Sequence, residues 1–340
     1  MLNKAVINID NLRYNARRIK SLLKRDVKFC AVVKADAYGH GAVQVANALY
    51  DIVDVFAVAI VEEGVSLRLG GIDKPVLVLI PVLLSDLERA IYYNLELTVS
   101  SLLDVKRIEK QAKLQNRRVS LHVKINTGMN RNGVDTLDDL KKILEYAKVS
   151  KHLKVQGVYS HFSNAENIDS VNNALNKFLL AIKCASGYNK DVTYHISASG
   201  GLLQGVQFDM VRIGIMLYGY LPFKTDKIKL KPVMKIYAPV IARRSLHQGD
   251  TALYGDKKAD KDIMLNLIRY GYADGLFRKE ATGLFNNRCM DISAVPCKNK
   301  TNYAIVLDDA EKLADQYGTI SYEILCRASQ RAEKIYRRNF

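Results

Sequence analysis

The chain is poor in cysteine, and its few cysteines are not spaced as a metal site or a disulfide framework. Its 340 residues include an odd number of them, five, and no two form a CxxC pair. This usage is typical of a reducing compartment and argues against both a disulfide scaffold and a zinc site. We therefore expect a cytoplasmic protein without a metal. The five are Cys30, Cys184, Cys289, Cys297 and Cys326.

Long apolar runs are also missing. The first ten residues lack the apolar core of a signal peptide, and the longest run, residues 76–84, is interrupted by Pro81. A helix needs about 20 apolar residues to span a bilayer, so this run is too short. We expect a soluble protein with no membrane contact.

The chain has fewer acidic than basic residues: 35 Asp and Glu and 51 Lys and Arg give a net charge of +16. The basic residues are spread over most of the chain, and only residues 327–338 form a cluster. Nucleic-acid binding would require a basic patch interleaved with aromatic residues, which we do not find. A basic nucleic-acid-binding protein is therefore our third hypothesis, behind a solvated basic surface that attracts small anions.

The first two thirds of the chain alternate between apolar, β-branched runs and amphipathic segments. Asp10 is a plausible N-cap for a first helix, and residues 102–112 and 137–147 keep helical spacing. About eight strand and helix units in succession predict a parallel (β/α)8 barrel. The predicted strands are 29–34, 56–60, 76–80, 95–99, 121–125, 155–159, 193–196 and 210–217.

The pattern changes near Pro232. Short β-like runs at 234–241, 263–268 and 303–307 follow, separated by turns and polar stretches. We predict a barrel domain over residues 1–228 and a smaller, mainly β domain over residues 229–340, with the first strand of the chain as a candidate member of the second domain.

Lys34 stands at the end of an apolar strand, where an ammonium must be paired, neutralised or used covalently. One interpretation is a lysine that extends its amine to solvent. The other is a Schiff-base lysine, because desolvation lowers a lysine pKa and frees the amine as nucleophile and base.

Further polar residues follow other predicted strands. A barrel builds its active site from the loops at the C-terminal ends of its strands, so these side chains should converge. Each has a structural alternative: His161 could be a hydrogen-bonded core histidine, and Arg131 could cap a loop. Together they favour a network around a ligand. The set is Lys34, Lys124 with Arg131, His161, His195 with Ser199, and Arg212.

Residues 34–41, KADAYGHG, resemble the pyridoxal phosphate (PLP) lysine motif of the bacterial alanine racemases. The resemblance implies a PLP-binding (β/α)8 barrel followed by a smaller mainly β C-terminal domain. It makes Lys34 the Schiff-base lysine and one catalytic base, and places Tyr38 in the cofactor site.

The motif LHVKINTGMNRNG at 121–133 resembles the family's fifth-strand motif. The resemblance implies that Arg131 bonds the phenolic oxygen of PLP and contacts substrate, and that Lys124 orients Arg131 and is often carbamylated. In YSHF at 159–162, His161 takes the place of the histidine that contacts the catalytic tyrosine. We expect His161 or Arg131 to supply a cation that favours a tyrosine phenolate.

HISAS at 195–199 and VRIGIMLYG at 211–219 resemble two further cofactor segments. They imply that Arg212 faces the pyridine nitrogen, that His195 lies behind it, and that Ser199 with the backbone of Gly214 and Ile215 holds the phosphate. Because a guanidinium leaves the pyridine nitrogen unprotonated, PLP is a weaker electron sink, which suits a racemase better than a transaminase.

Racemisation needs two bases, one on each face of the substrate. ALYG at 252–255 with RYGYADG at 269–275 resembles the family's paired signatures and makes Tyr254 the second base, delivered from the other subunit of a homodimer. CMD at 289–291 implies that Met290 holds the substrate carboxylate, and SYE at 321–323 that Tyr322 reaches the phosphate. Tyr272 and Arg278 would line the entrance.

The resemblance covers nearly the whole chain and keeps the order of motifs. This sequence departs from the pattern at Asn126, Glu166, Ala198 and Asn287, and its stretch between Asp291 and Tyr322 is shorter than usual.

The leading hypothesis is a cytoplasmic, homodimeric, PLP-dependent alanine racemase that supplies D-alanine for peptidoglycan. The alternatives are a serine or broad-specificity amino-acid racemase and a non-catalytic PLP-binding protein. In each case the ligand is a small molecule.

Overall fold

The fold is described from a computed structural model that covers residues 2–188, 191–254, 256–279, 287–297 and 301–338. The chain begins with strand β1 (Lys4–Asn8), which runs directly into helix α1 (Ile9–Lys20). The N-cap of α1 is Asn8, whose side chain accepts from the Asn11 N–H at 2.9 Å. The prediction of Asp10 as N-cap is therefore wrong: Asp10 lies in the first turn, where a carboxylate complements the helix dipole.

Eight parallel strands follow in a single sheet whose hydrogen-bonded order is β8-β7-β6-β5-β4-β3-β2-β9. Backbone bonds from Asp209 N to Tyr194 O (3.0 Å) and from Arg212 N to Ser197 O (2.9 Å) join its two edges. The predicted (β/α)8 barrel is thus confirmed. The strands are β2 (Lys28–Val32), β3 (Val55–Val58), β4 (Val76–Val78), β5 (Glu96–Val99), β6 (Val119–Lys124), β7 (Leu153–Tyr159), β8 (Thr193–His195) and β9 (Met210–Ile213).

Helices surround this sheet, and the longer ones bury one apolar face against it. In α5, for example, Val105, Ile108 and Ala112 are buried at helical spacing, and the N-cap Ser101 accepts from the Asp104 N–H. The helices of the barrel are α2 (Ala42–Leu49), α3 (Val61–Leu69), α4 (Leu87–Tyr92), α5 (Leu102–Leu114), α6 (Leu137–Val149), α7 (Ile168–Ser186) and α8 (Ser199–Leu203).

Two predicted strands end earlier than expected, and both ends matter for the site. The strand predicted at 29–34 stops at Val32, and Lys34 begins a turn. The strand predicted at 210–217 stops at Ile213, and Ile215–Tyr218 forms a 3-10 helix after Gly214. In both places the chain leaves the strand register and turns its backbone towards the C-terminal mouth of the barrel.

A second sheet contains β10 (Met234–Leu246), β11 (Ile263–Ile268), β12 (Ser293–Pro296), β13 (Tyr303–Leu307) and β14 (Glu333–Arg337). Its order is β12-β11-β10-β1-β14, and β13 also pairs with β10. The first strand of the chain therefore lies between β10 and β14. Helices α9 (Ala310–Tyr317) and α10 (Ser321–Ala328) accompany this sheet, so the predicted mainly β second unit is confirmed.

Among the residues that the structure describes, no helix is both long and apolar enough to cross a membrane.

Candidate active site

A cavity of about 950 Å³ lies at the C-terminal ends of the barrel strands. Residues from α10 close one side of it, including Glu323 and Cys326. Most of the residues predicted from the sequence meet on its walls, namely Lys34, Tyr38, Lys124, Arg131, His161, Ser199, Arg212, Gly214, Ile215 and Tyr322.

Lys34 opens a turn in which four successive residues, Ala35 to Tyr38, have φ between 51° and 54°. Left-handed backbone costs a non-glycine residue about 1–2 kcal/mol, so this turn persists only because its surroundings hold it. Glu63 in α3 accepts from the N–H groups of Ala35 (2.6 Å) and Ala59 (2.7 Å). The turn therefore fixes the Lys34 backbone while its side chain enters the cavity.

Asp36 stabilises the second half of the turn through two side-chain contacts. Its side chain accepts from the Ala42 N–H at 2.7 Å and pairs with Lys334 at 2.9 Å. His40 is fully buried, and its Nδ1 contacts the carbonyl oxygens of Ala37 and Tyr38. The polar residues of the motif other than Lys34 thus serve largely to hold its backbone.

The surroundings of Lys34 lower the pKa of its amine. Burial lowers its pKa, and the positive charge of Arg131 lowers it further, against a smaller opposing effect of Glu63. A lowered pKa increases the share of neutral amine near neutral pH, which is the nucleophilic and basic form.

Arg212, on β9, is fixed at the floor of the cavity by four acceptors within 3.2 Å and by a fifth, His161 Nδ1, at 3.4 Å. Its Nη1 donates to His195 Nδ1 at 2.6 Å and to His195 O at 3.2 Å, while Nη2 donates to Ser160 O at 2.6 Å and Ile196 O at 3.1 Å. Its Nε–H has no hydrogen-bond partner within the described parts of the chain. One N–H of a rigidly held guanidinium is therefore left over for a ligand.

His161 does not supply the cation that we expected of it. Burial and the charges of Arg212 and Arg131 lower its pKa to about 3, so the ring is neutral. Its Nδ1 lies 3.4 Å from Arg212 Nη2 and accepts from it, which leaves the Nε2–H as a donor. Of the two cations named from the sequence, Arg131 remains.

Lys124 lies beside these groups and is buried. Its Nζ donates to Asn132 Oδ1 at 2.5 Å, and burial together with Arg131, Arg212 and Lys34 lowers its pKa to about 7. With a pKa of about 7, Lys124 changes between its charged and neutral forms near neutral pH, and the Asn132 oxygen can accept from either form.

Five residues predicted at the site or its entrance do not line the cavity, two of them being Tyr272 and Arg278, which we expected at the entrance. His195 lies behind Arg212, as its hydrogen bond shows. Tyr254 and Met290, in the second unit, are 71% and 54% exposed. Gly255, which follows Tyr254 in its motif, lies outside the described residues. Within one chain, Tyr254 is therefore not brought together with Lys34.

Tyr159 is a cavity residue to which our sequence analysis gave no role. Its ring stacks on His195 with centroids 4.8 Å apart, and its hydroxyl bonds Thr98 at 2.8 Å. The guanidinium of Arg212 lies 5.0 Å from the ring centroid. The available signal was its position on β7, since a polar aromatic at the C-terminal end of a barrel strand faces the site.

The chain is similar to known proteins over nearly its whole length. Residues 7–222 match the family model for the N-terminal domain of alanine racemase, and residues 233–336 match the model for its C-terminal domain. A protein from Treponema denticola named alanine racemase is 32% identical, with 98% of this chain and 97% of that protein covered. One from Staphylococcus epidermidis is 32% identical, with 97% and 93% covered.

Solved structures agree with these matches. The alanine racemase of Clostridium difficile superposes with a TM-score of 0.93 at 31% identity, covering all of this chain and 96% of that one. The alanine racemase of Bacillus anthracis, solved with bound L-Ala-P, gives a TM-score of 0.88 at 28% identity, with 99% and 95% covered.

Proposed function

The chain belongs to the alanine racemase family, and we propose that it interconverts L- and D-alanine with pyridoxal 5'-phosphate as cofactor and a homodimer as the active form. The observation that carries this proposal is the cavity in which Lys34, with its lowered pKa, shares the walls with Arg131 and the firmly held Arg212. We propose D-alanine for peptidoglycan as its product in the cell, the cytoplasm as its location, and residues 228 and 229 as the domain boundary.

The cavity fits PLP on three counts. The unpartnered Nε–H of Arg212 suits an unprotonated ring nitrogen as acceptor. Gly214 lets the hydroxyl of Tyr38 lie against its backbone, because a Cβ there would collide with that hydroxyl, and so brings two predicted phosphate donors together. The lining carries Lys34, Lys124, Arg131 and Arg212 against one carboxylate, Glu323, which suits an anionic cofactor.

Different residues would hold the different parts of the cofactor. Lys34 would bind it covalently, Arg131 its phenolic oxygen and Arg212 its ring nitrogen. The phosphate would be held by Tyr38, Ser199, Tyr322 and the backbone of Gly214 and Ile215. When bound, PLP withdraws electrons from the substrate Cα and so makes its proton acidic.

Each face of the substrate then requires its own proton carrier. Lys34 can take or return a proton on one face, because its lowered pKa increases the share of neutral amine. We propose Tyr254 of the partner subunit for the opposite face, with Arg131 favouring the phenolate and the Nε2–H of His161 available to donate to it. The exposure of Tyr254 and Met290 supports a dimer in which each chain completes the other's cavity, with Met290 holding the substrate carboxylate.

Alanine is favoured over larger substrates by Tyr322, which narrows the cavity from the side of α10. Its ring centroid lies 5.9 Å from that of Tyr38. A serine or broad-specificity racemase is the second candidate, since Ala198 in the lining leaves more room than the family's usual asparagine.

The proposal is tested by incubating the purified protein with PLP and L-alanine in heavy water. We expect D-alanine that carries deuterium at Cα, because the new proton comes from a base that exchanges with solvent. Retention of the original α-proton in all alanine, with PLP demonstrably bound, would contradict the proposal.

A further inference from the structure

The hydrogen bond from Arg212 to His195 is the first of three that run down the inside of the barrel. His195 Nε2 lies 2.9 Å from His122 Nδ1, and His122 Nε2 lies 3.0 Å from Glu96 Oε2. Glu96 is the first residue of β5, at the end of the barrel opposite the cavity. A continuous chain of side chains therefore joins the candidate site to the base of the barrel.

The two ends of this chain fix the direction of every bond in it. Arg212 can only donate, so His195 Nδ1 must be the acceptor and its proton must sit on Nε2. That Nε2–H donates to His122 Nδ1, which leaves the His122 proton on Nε2, directed at Glu96. An ionised carboxylate can only accept, so the far end requires the same tautomers as the near end.

The surroundings favour the ionised form of Glu96 and the neutral form of His195. Burial acts to raise the pKa of Glu96, but the hydrogen bond from His122 and the charges of Lys28 and Lys154 outweigh it and lower the pKa. For His195, burial and the charges of Arg212 and Lys28 lower the pKa well below its ordinary value, so the ring stays neutral.

The same groups are fixed in space as well as in protonation. His195 is fully buried and stacks on Tyr159, and His122 is 2% exposed. A Cβ at Gly157 of β7 would overlap the His122 ring, so the ring lies against bare backbone. The Glu96 side chain is 17% exposed and is the point where the chain reaches solvent.

We propose that Glu96 and His122 are positioning residues for the racemisation, which act through His195 to hold Arg212 in one hydrogen-bonding direction. This inference rests on the proposed function, because it assigns the remaining Arg212 N–H to the cofactor ring. With both histidines locked, both hydrogens of Nη1 are committed to His195, Nη2 donates to the carbonyls of Ser160 and Ile196, and Nε–H is left for the ligand. A carboxylate behind a histidine also strengthens that histidine as an acceptor, as it does behind metal-bound histidines.

The first test reads the tautomers directly. The chain has six histidines, and proton–nitrogen correlation spectra of protein labelled at histidine distinguish protonated from bare ring nitrogens. Single substitutions assign the signals, and spectra are recorded with and without PLP. We expect Nε2–H forms of both His122 and His195 in each state. An Nδ1–H form of either would overturn the inference.

The second test uses Glu96→Gln, because an amide can present a donor or an acceptor to His122 and no longer enforces one tautomer. We expect the nitrogen signals of both histidines to shift towards a mixture, and kcat for L-alanine to fall roughly tenfold while KM stays roughly unchanged. Unchanged nitrogen signals and unchanged kcat in a folded Glu96→Gln protein would overturn the inference.

Glu109→Gln is the matched control. Glu109 also accepts from two side chains, Tyr146 and Ser150, but lies between α5 and α6 outside the barrel interior. It should lose stability without changing the histidine signals or kcat. If the wild-type spectra match but the protein racemises nothing, the hydrogen-bonded chain from Arg212 to Glu96 stands and the proposed function fails, so the two failures can be distinguished.

Discussion

The hydroxyl of Ser329 donates to the carbonyl of Gly39 at 2.9 Å, across 290 positions of sequence. Ser329 follows α10, whereas Gly39 ends the left-handed turn that Lys34 opens. Close by, Tyr336 of β14 donates to the His40 carbonyl at 3.2 Å. The end of the chain thus helps to hold the strained turn that positions the candidate catalytic lysine.

We predict that Gly39→Ala weakens this attachment. A Cβ there would collide with Ser329 Oγ and lie 2.7 Å from Leu325 O, at a φ of +80°. The free energy of unfolding should fall by about 2–4 kcal/mol, measured by urea denaturation. Gly71→Ala is the control, since its φ is +87° but its Cβ would meet open space, and it should cost about 1 kcal/mol. Equal losses would show that the contact with Ser329 contributes nothing.

Lys34→Ala should abolish covalent attachment of PLP. Borohydride reduction followed by peptide mass spectrometry should label Lys34 in the wild type and no lysine in the variant, and racemisation should fall at least about a thousandfold. The exposed Lys151, replaced by alanine in the same way, should leave both readouts unchanged. Normal racemisation by the Lys34 variant would rule out its role as a base.

Tyr254→Phe should impair proton transfer on one face only. Exchange of the α-proton with solvent should slow by about 10²–10⁴-fold from one enantiomer and much less from the other. Tyr92→Phe removes the hydroxyl of another exposed tyrosine (65%) and should have no effect. Equal and negligible losses for both enantiomers would mean that another residue is the second base.

The lowered pKa of Lys124 predicts how the free energy of unfolding depends on pH. Its folded-state pKa is about 7, below the ordinary value of 10.5, so between these values the unfolded chain binds more protons and stability rises with pH. Below pH 7 the amine is charged in both states and the full cost of burying that charge is present. Lys124→Met should flatten the rise between pH 7 and 10.5, measured by urea denaturation across that range. The exposed Lys141→Met should keep the slope, and an unchanged slope in the Lys124 variant would contradict the lowered pKa.

The sequence was sufficient for the elements whose patterns are local. The strand predicted at 263–268 agrees with β11, and that at 303–307 with β13. Residues with unusual backbone could not be predicted. No sequence propensity predicts the four left-handed residues Ala35 to Tyr38, because tertiary contacts such as the hydrogen bond to Glu63 impose this conformation.

Some residues of the candidate site could likewise be predicted from the sequence, and others could not. Polar residues at strand ends, such as Lys34 and Arg212, were predicted because the barrel fixes where strand ends meet. Glu96 and His122 were missed, although polar residues at alternate positions of β5 and β6 were a usable signal for the barrel interior. The neutral state of His161 depends on burial and on cations from other strands, which no local pattern contains.

The most direct test of the central claim is chiral analysis of alanine after separate incubations of the protein and PLP with the L- and the D-enantiomer. Enantiomers have equal free energy, so a racemase must bring both reactions to equal amounts of L- and D-alanine, faster than the same reactions with serine. Failure of either enantiomer to convert, with PLP bound at Lys34, would contradict the assignment of this chain as an alanine racemase.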